Sequence, residues 1–195
     1  MDILAAVASG VVLAACTGLR AFMPLFAAGL ASRTLGWDLA PSMDWLSSNA
    51  AIMTFGIASA VEVVADKIPV VDHALDAMHT FVAPVAGALA ALSVWLHLPP
   101  VVAAVLALMV AAPVAEGVHV LAAATRVKSS VATAGTLNPA VSVAEDAVSV
   151  GGILLALLVP VMALVLTVVA VVVIWRMVKR RRGGGRREEG GVGVG

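Results

Sequence analysis

The residues able to do chemistry in this chain gather in one stretch, EVVADKIPVVDHALDAMH, from Glu62 to His79, with apolar sequence on both sides. It holds four of the twelve acidic residues, a lysine and two of the four histidines. Charge inside hydrocarbon is costly unless it is paired, hydrated or used, so ionisable groups in this setting are candidates for function. Glu62 and Asp66 stand one turn apart on a helix face and could share a cation or a proton. Lys67 follows at once, and an interfacial Asp66–Lys67 ion pair accounts for Asp66 equally well. Past the breaker Pro69, VVDHALDAMH reads as a short amphipathic turn or helix with Asp72, Asp76 and His79 at i, i+4 and i+7. With His73 between them, these residues could hold a metal or relay protons; a solvated loop face would give the same spacing.

Three further places carry polar groups where lipid would not tolerate them bare. Arg20 sits inside the first apolar run, either paired with a carboxylate or serving as an anion or gating contact. Glu116 and His119, one turn apart, should face a bundle interior, as a packing pair or as functional groups. The segment Ser129 to Ser149 combines Ser, Thr, Asn138-Pro139 and the acidic pair Glu145-Asp146. It is apolar enough to enter a membrane yet too polar to be surrounded by lipid. Together with the Glu62–His79 stretch these supply the candidates for a polar transport path: Arg20, Glu62, Asp66, Asp72, His73, Asp76, His79, Glu116, His119, Asn138, Glu145 and Asp146.

What must position these groups follows from composition. The 195 residues are 62% hydrophobic and 12% charged, with a mean hydropathy of +1.06. Soluble domains average about 45–50% apolar and about 25% charged, so this is an integral membrane protein. Aromatic residues are only 4% and Tyr is absent, which favours thin, closely packed helices over a large aromatic-lined pocket. The zero net charge conceals an asymmetry, because seven of the twelve basic residues lie in Arg176–Arg187. Cys16 is the single cysteine and can form no internal disulfide. The N-terminus lacks a basic n-region and reads as a retained span rather than a cleaved signal.

The expected architecture is all-α, a polytopic transmembrane bundle of about six spans with interrupted helices. Residues 3–31 form one bent or broken helix across Thr17, Gly18, Arg20 and Pro24. Trp37 and Trp45 anchor an interfacial loop. Asn49–Asp66, Phe81–His97, Val101–Ala124, Ser129–Ser149 and Gly151–Trp175 supply the rest, with the LPP turn making a hairpin tipped by His97. Six spans put both termini, Lys67, Arg126, Lys128 and the basic tail on the cytoplasmic side and the Trp37–Trp45 loop on the other. They also permit a 3+3 inverted repeat, since Pro24, Glu62 and Pro84 are echoed in order by Pro113, Glu145 and Pro160. Residues 1–178 form a single membrane domain; residues 179–195 form a basic, Gly-rich tail expected to be disordered and to meet anionic lipid rather than nucleic acid.

The stretches TGLRAFMPLFAAGLASR, VEVVADKIPVVDHALDAMHTFVAPVAGAL and TLNPAVSVAEDAVS resemble the motifs of the domain-of-unknown-function 4126 family of bacterial membrane proteins. The likeness covers most of residues 1–175. It implies a multi-pass protein of the inner membrane and brings no catalytic or binding residues with it.

Two function classes follow. A transporter or channel for a cation, a proton-coupled solute or a small metabolite would show a water-accessible cavity touching the acidic residues. A non-catalytic scaffold or accessory subunit, self-associating or joined to a partner, would close those residues into ion pairs and show a lateral apolar groove. An enzyme is disfavoured, because HExxH, GxSxG, a Cys/His couple and a phosphate-cradling Gly loop are all missing, and no cofactor is implied.

Overall fold

A computed structural model describes residues 3–67, 69–133 and 136–158, together with positions 165, 168, 169, 172, 173, 176 and 179; for residues 69–74 it describes the backbone alone. The described chain is helical: α1 Ile3–Leu19, α2 Met23–Leu35, a 3-10 helix Pro41–Ser47, α3 Asn49–Ala65, α4 Pro69–Val94, α5 Pro100–Leu106, α6 Ala112–Thr133 and α7 Asn138–Leu158. A π-helical turn, Ala107–Ala111, joins α5 to α6 in one continuous rod. Three helices are long and apolar enough to cross a bilayer: Leu75–Val94, Pro100–Thr133 and Asn138–Leu158. The 3-10 helix and α3, bent by 69°, make a fourth if counted as one broken span, and α1 is a shorter apolar helix of 17 residues. The chain is therefore a multi-pass membrane protein, with fewer full-length spans among its described residues than the six expected.

Local signals set most of these boundaries. Pro24 opens α2, and Gly36 closes it in the left-handed conformation at φ 64°, where a Cβ would be strained. Ser48 caps α3 by accepting the Ala51 N–H at 3.1 Å. Pro69 marks a break between α3 and α4, as its breaker character suggested, but the amphipathic segment after it is not a separate element. Pro69 lies at the first position of α4, which runs unbroken from the amphipathic segment into the apolar one, because a proline at a helix start removes no helical hydrogen bond. Asn138-Pro139 likewise opens α7 rather than breaking a span, and α7 passes through Ser149–Gly152 without the division expected there. About half of the expected Gly151–Trp175 span and the tail after Lys179 lie outside the described residues.

The first apolar run is two helices. The Arg20 N–H still bonds the Cys16 carbonyl at 2.9 Å, and the next helical bond starts from Phe26 to Phe22 at 3.0 Å. Between them the chain reverses. The Ala40 N–H reaches the Ser93 carbonyl at 2.9 Å, and the Trp95 indole Nε1–H donates to the Ala6 carbonyl at 3.0 Å. The Trp37–Trp45 loop therefore lies at the same end of the bundle as the start of α1, not at the opposite end.

In lipid there is little hydrophobic gain from bringing apolar helices together, so close packing at small residues matters more. α1 packs against α4, α6 and α7, and its glycines set the approach. Gly10 lies under the Trp95 ring, and Gly18 faces the backbone of Ala115 and His119 on α6. A Cβ on Gly18 would meet the Ala115 carbonyl and come within 2.7 Å of Val118 Cβ. Gly117, on the same helix pair's outer side, has open space around it. Gly18→Ala should therefore lower stability by about 1–3 kcal/mol. Gly117→Ala should leave stability unchanged or raise it by up to about 1 kcal/mol. Thermal unfolding of the two variants in the same detergent checks the contrast, and equal melting temperatures would contradict the α1–α6 contact.

Candidate functional site

The break after α1 drives a charge network. Arg20 is fully buried at the junction, and its three nitrogens are all used. Nη1 donates to Asp66 Oδ2, Nε to Asp146 Oδ1 at 2.5 Å, and Nη2 to Ser142 Oγ at 3.0 Å. A planar fork with donors in fixed directions suits three partners arriving from different helices; a lysine could not reproduce it. Asp66 closes α3, while Ser142 and Asp146 share one face of α7 at i and i+4.

A second arginine completes the cluster. Arg126 of α6 donates from Nε to Glu145 Oε2 at 3.2 Å and from Nη1 to Asp76 Oδ1 at 2.7 Å, and its Nη2 lies 3.5 Å from Asp66 Oδ2. Asp66 thus sits between both guanidiniums. Lys67 does not pair with Asp66: its Nζ donates to the Val63 carbonyl at 2.8 Å and stands 3.5 Å from Asp146 Oδ2. The helix geometry explains this, since Asp66 turns inward with the α3 face that carries Glu62, whereas Lys67 is carried outward.

Glu62, 1% exposed, has a different duty. Its Oε1 accepts the Ala21 N–H at 2.7 Å and its Oε2 the Phe22 N–H at 3.4 Å. These are amides that the helix break leaves without a carbonyl partner, and a carboxylate is the favoured charge at the positive end of α2. His79 Nε2 lies 3.0 Å from Glu62 Oε1, and the His79 ring meets His119 edge to face with centroids 5.7 Å apart.

Of the sequence candidates, the fold brings Arg20, Glu62, Asp66, Asp76, His79, His119, Glu145 and Asp146 into one layer, and Glu116 lies one turn from His119 on α6. Asn138 stands apart at the start of α7, its Nδ2 donating to Ser130 Oγ at 2.8 Å. Asp72 and His73 fall on α4, and their side chains lie outside the described residues. Among the described residues no three His, Cys, Asp or Glu side chains stand together as a metal-holding group. Sequence reasoning missed Arg126 and Ser142. Arg126 was read as the end of a span, yet α6 buries Ala115, His119, Ala122 and Arg126 on one stripe, a helical period visible in the sequence.

The ion pairs differ in burial, and so should the cost of breaking them. The Asp66 side chain is 1% exposed and that of Asp146 21%. Asp66→Asn leaves two buried guanidiniums underpaired and should cost about 3–5 kcal/mol. Asp146→Asn should cost less, because water reaches its carboxylate and Lys67. Chemical or thermal unfolding of the two variants reads the order; a reversal would mean that Asp66 is not the hinge of the network.

Of the cavities that adjoin these helices, two bear on the site. The larger, about 770 Å³, opens sideways between α2, α3 and α7 and is lined by residues such as Met23, Phe26, Leu30, Ala60, Val63 and Leu157. The smaller, about 410 Å³, has Glu62 on a wall otherwise formed by Phe22, Thr54, Ile57, Ala58, Val61, Leu75 and Met78.

Residues 7–180 match the model of a family described as a domain of unknown function (DUF4126). No curated protein and no solved structure matches the chain. The family match takes in every helix of the charge network, and the chain therefore belongs to the DUF4126 family.

Proposed function

We propose that the protein is a non-catalytic membrane scaffold that associates with a second copy of itself, its charge network acting as an internal clasp. One observation carries this reading. Arg20 and Arg126 close Asp66, Asp76, Glu145 and Asp146 into ion pairs, while the 770 Å³ cavity is apolar and faces sideways rather than toward the acids.

The groove suits a helix. Its floor includes Ala27, Ala31, Gly56 and Ala60, small residues at four-residue spacing on α2 and α3 that let a partner backbone approach closely. Beside it α3 presents an exposed ridge of Met53, Ile57 and Val61. Groove and ridge on one helix form a self-complementary surface, so two copies related by a two-fold axis can each seat a ridge in the other's groove. The basic run Arg176–Arg187 would add contacts to anionic headgroups, in keeping with an inner-membrane setting.

A transport reading has one observation in its favour, the placement of Glu62 on the wall of the smaller cavity. Reconstitution separates the two. With Cys16 replaced by Ser, Ala60→Cys should cross-link into dimers in liposomes, Ala60→Trp should leave monomers, and ion or solute flux should match that of empty liposomes. Monomeric wild-type protein in liposomes would overturn the scaffold reading, and flux lost in Glu62→Gln without loss of folded protein would replace it with transport.

A further inference from the structure

The clasp accounts for the two arginines and the carboxylates they hold. It does not account for a line of ionisable groups that continues inward from them. His79 is 2% exposed, and although its Nε2 is 3.0 Å from Glu62 Oε1, the angle leaves that nitrogen without a hydrogen bond. Its ring lies edge to face against His119, which is also buried. One turn earlier on α6, Glu116 has a buried Oε2 with no hydrogen-bond partner. Buried polar atoms in native folds are nearly always satisfied, so the two unsatisfied ones on His79 and Glu116, with His119 between them, call for a missing group.

The smallest group that would satisfy both is a proton. A neutral imidazole has one donor and one acceptor nitrogen, and protonation makes both nitrogens donors. A carboxylate only accepts, whereas its acid form also donates. A proton on His79 would turn its 3.0 Å approach to Glu62 into a pair of opposite charges; a proton on Glu116 would turn its bare oxygen into a donor. We propose that Glu62, His79, His119 and Glu116 form a proton-binding line inside the bundle, loaded from the side of Asp76. Asp76 lies one turn from His79 on α4, and its side chain is 27% exposed, so it joins the line to water. In loading, a hydronium ion in the water gives up its proton, the proton forms an N–H bond on His79 or an O–H bond on Glu116, and the line gains one positive charge.

Burial opposes that gain of charge, and neighbouring carboxylates offset part of the cost. Facing the histidines are Arg20 from the α1–α2 junction, Glu62 and Asp66 from α3, Asp76 on their own side, and Glu116 and Arg126 from α6, with Glu145 and Asp146 of α7 and Lys67 behind them. Among these described side chains the carboxylates outnumber the three cations, so a proton enters a negative environment. The small Glu62-walled cavity lies beside the line and is not needed for it. The inference is independent of whether the protein is a scaffold or self-associates.

The test uses the full chain in lipid nanodiscs. The acid-minus-neutral infrared difference spectrum should contain a protonated-carboxyl band that is lost in Glu116→Gln and shifted in His119→Gln, while Asp44→Asn, an exposed position outside the network, shows neither effect. In wild-type protein labelled with ¹⁵N-histidine, the His79 and His119 signals should change together as the pH is lowered, and apart from exposed His97. The labelled wild type decides the matter if a variant does not fold. An identical difference spectrum for Glu116→Gln and wild type, or His79 and His119 signals that stay fixed or move independently, would overturn the proposal.

Discussion

The structure depends on the burial of one guanidinium. Arginine cannot shed its proton in a protein, so Arg20, once enclosed, has to be met by opposite charge from every direction in which its fork points. Asp66 brings in the end of α3, and Asp146 with Ser142 brings in α7. The same position interrupts the first apolar helix, and the amides freed by that interruption are taken by Glu62, one turn before Asp66. Break and network are thus one device: the residue that cannot stay in lipid turns the chain, and the carboxylates that neutralise it hold the turned chain in place.

A network of this kind is a poor source of net stability, since desolvating the charges offsets much of their attraction. Its stronger effect is on specificity. Apolar helices in lipid have many packings of similar energy, and Ala- and Val-rich surfaces discriminate weakly among them. Requiring Asp66 to stand between Arg20 and Arg126 removes most alternatives, because a shift of one helical turn in α3, α6 or α7 would strand a buried charge. The glycine contacts act in the same sense. Gly10 beneath Trp95 and Gly18 against Ala115 permit only a narrow range of depth between α1 and its neighbours.

Arg20 and Arg126 draw the carboxylates of α3, α4 and α7 into ion pairs, and the 770 Å³ cavity lies to the side of them, lined by apolar and small residues of α2, α3 and α7. Beside the network, the paired histidines and Glu116 keep buried polar atoms that neither arginine reaches.

The sequence by itself determined that this chain is helical and lives in a membrane, because composition alone exceeds what a water-soluble fold can hide. It also determined where the polar centres lie, since Glu62, Asp66, His79, Glu145 and Asp146 stand out against an apolar background and helical spacing puts them on common faces. Partners were another matter. Asp66 has Lys67 next to it in sequence and Arg20 next to it in space, and only the turn of α3 decides between them. The role of Arg126 and the reversal at Arg20 were decided by tertiary structure, because a basic residue near the end of an apolar run looks the same whether it reaches toward headgroups or inward to a carboxylate. That choice depends on which helix arrives with the opposite charge, and no local pattern within α6 or α1 records the arrival of α3, α4 and α7.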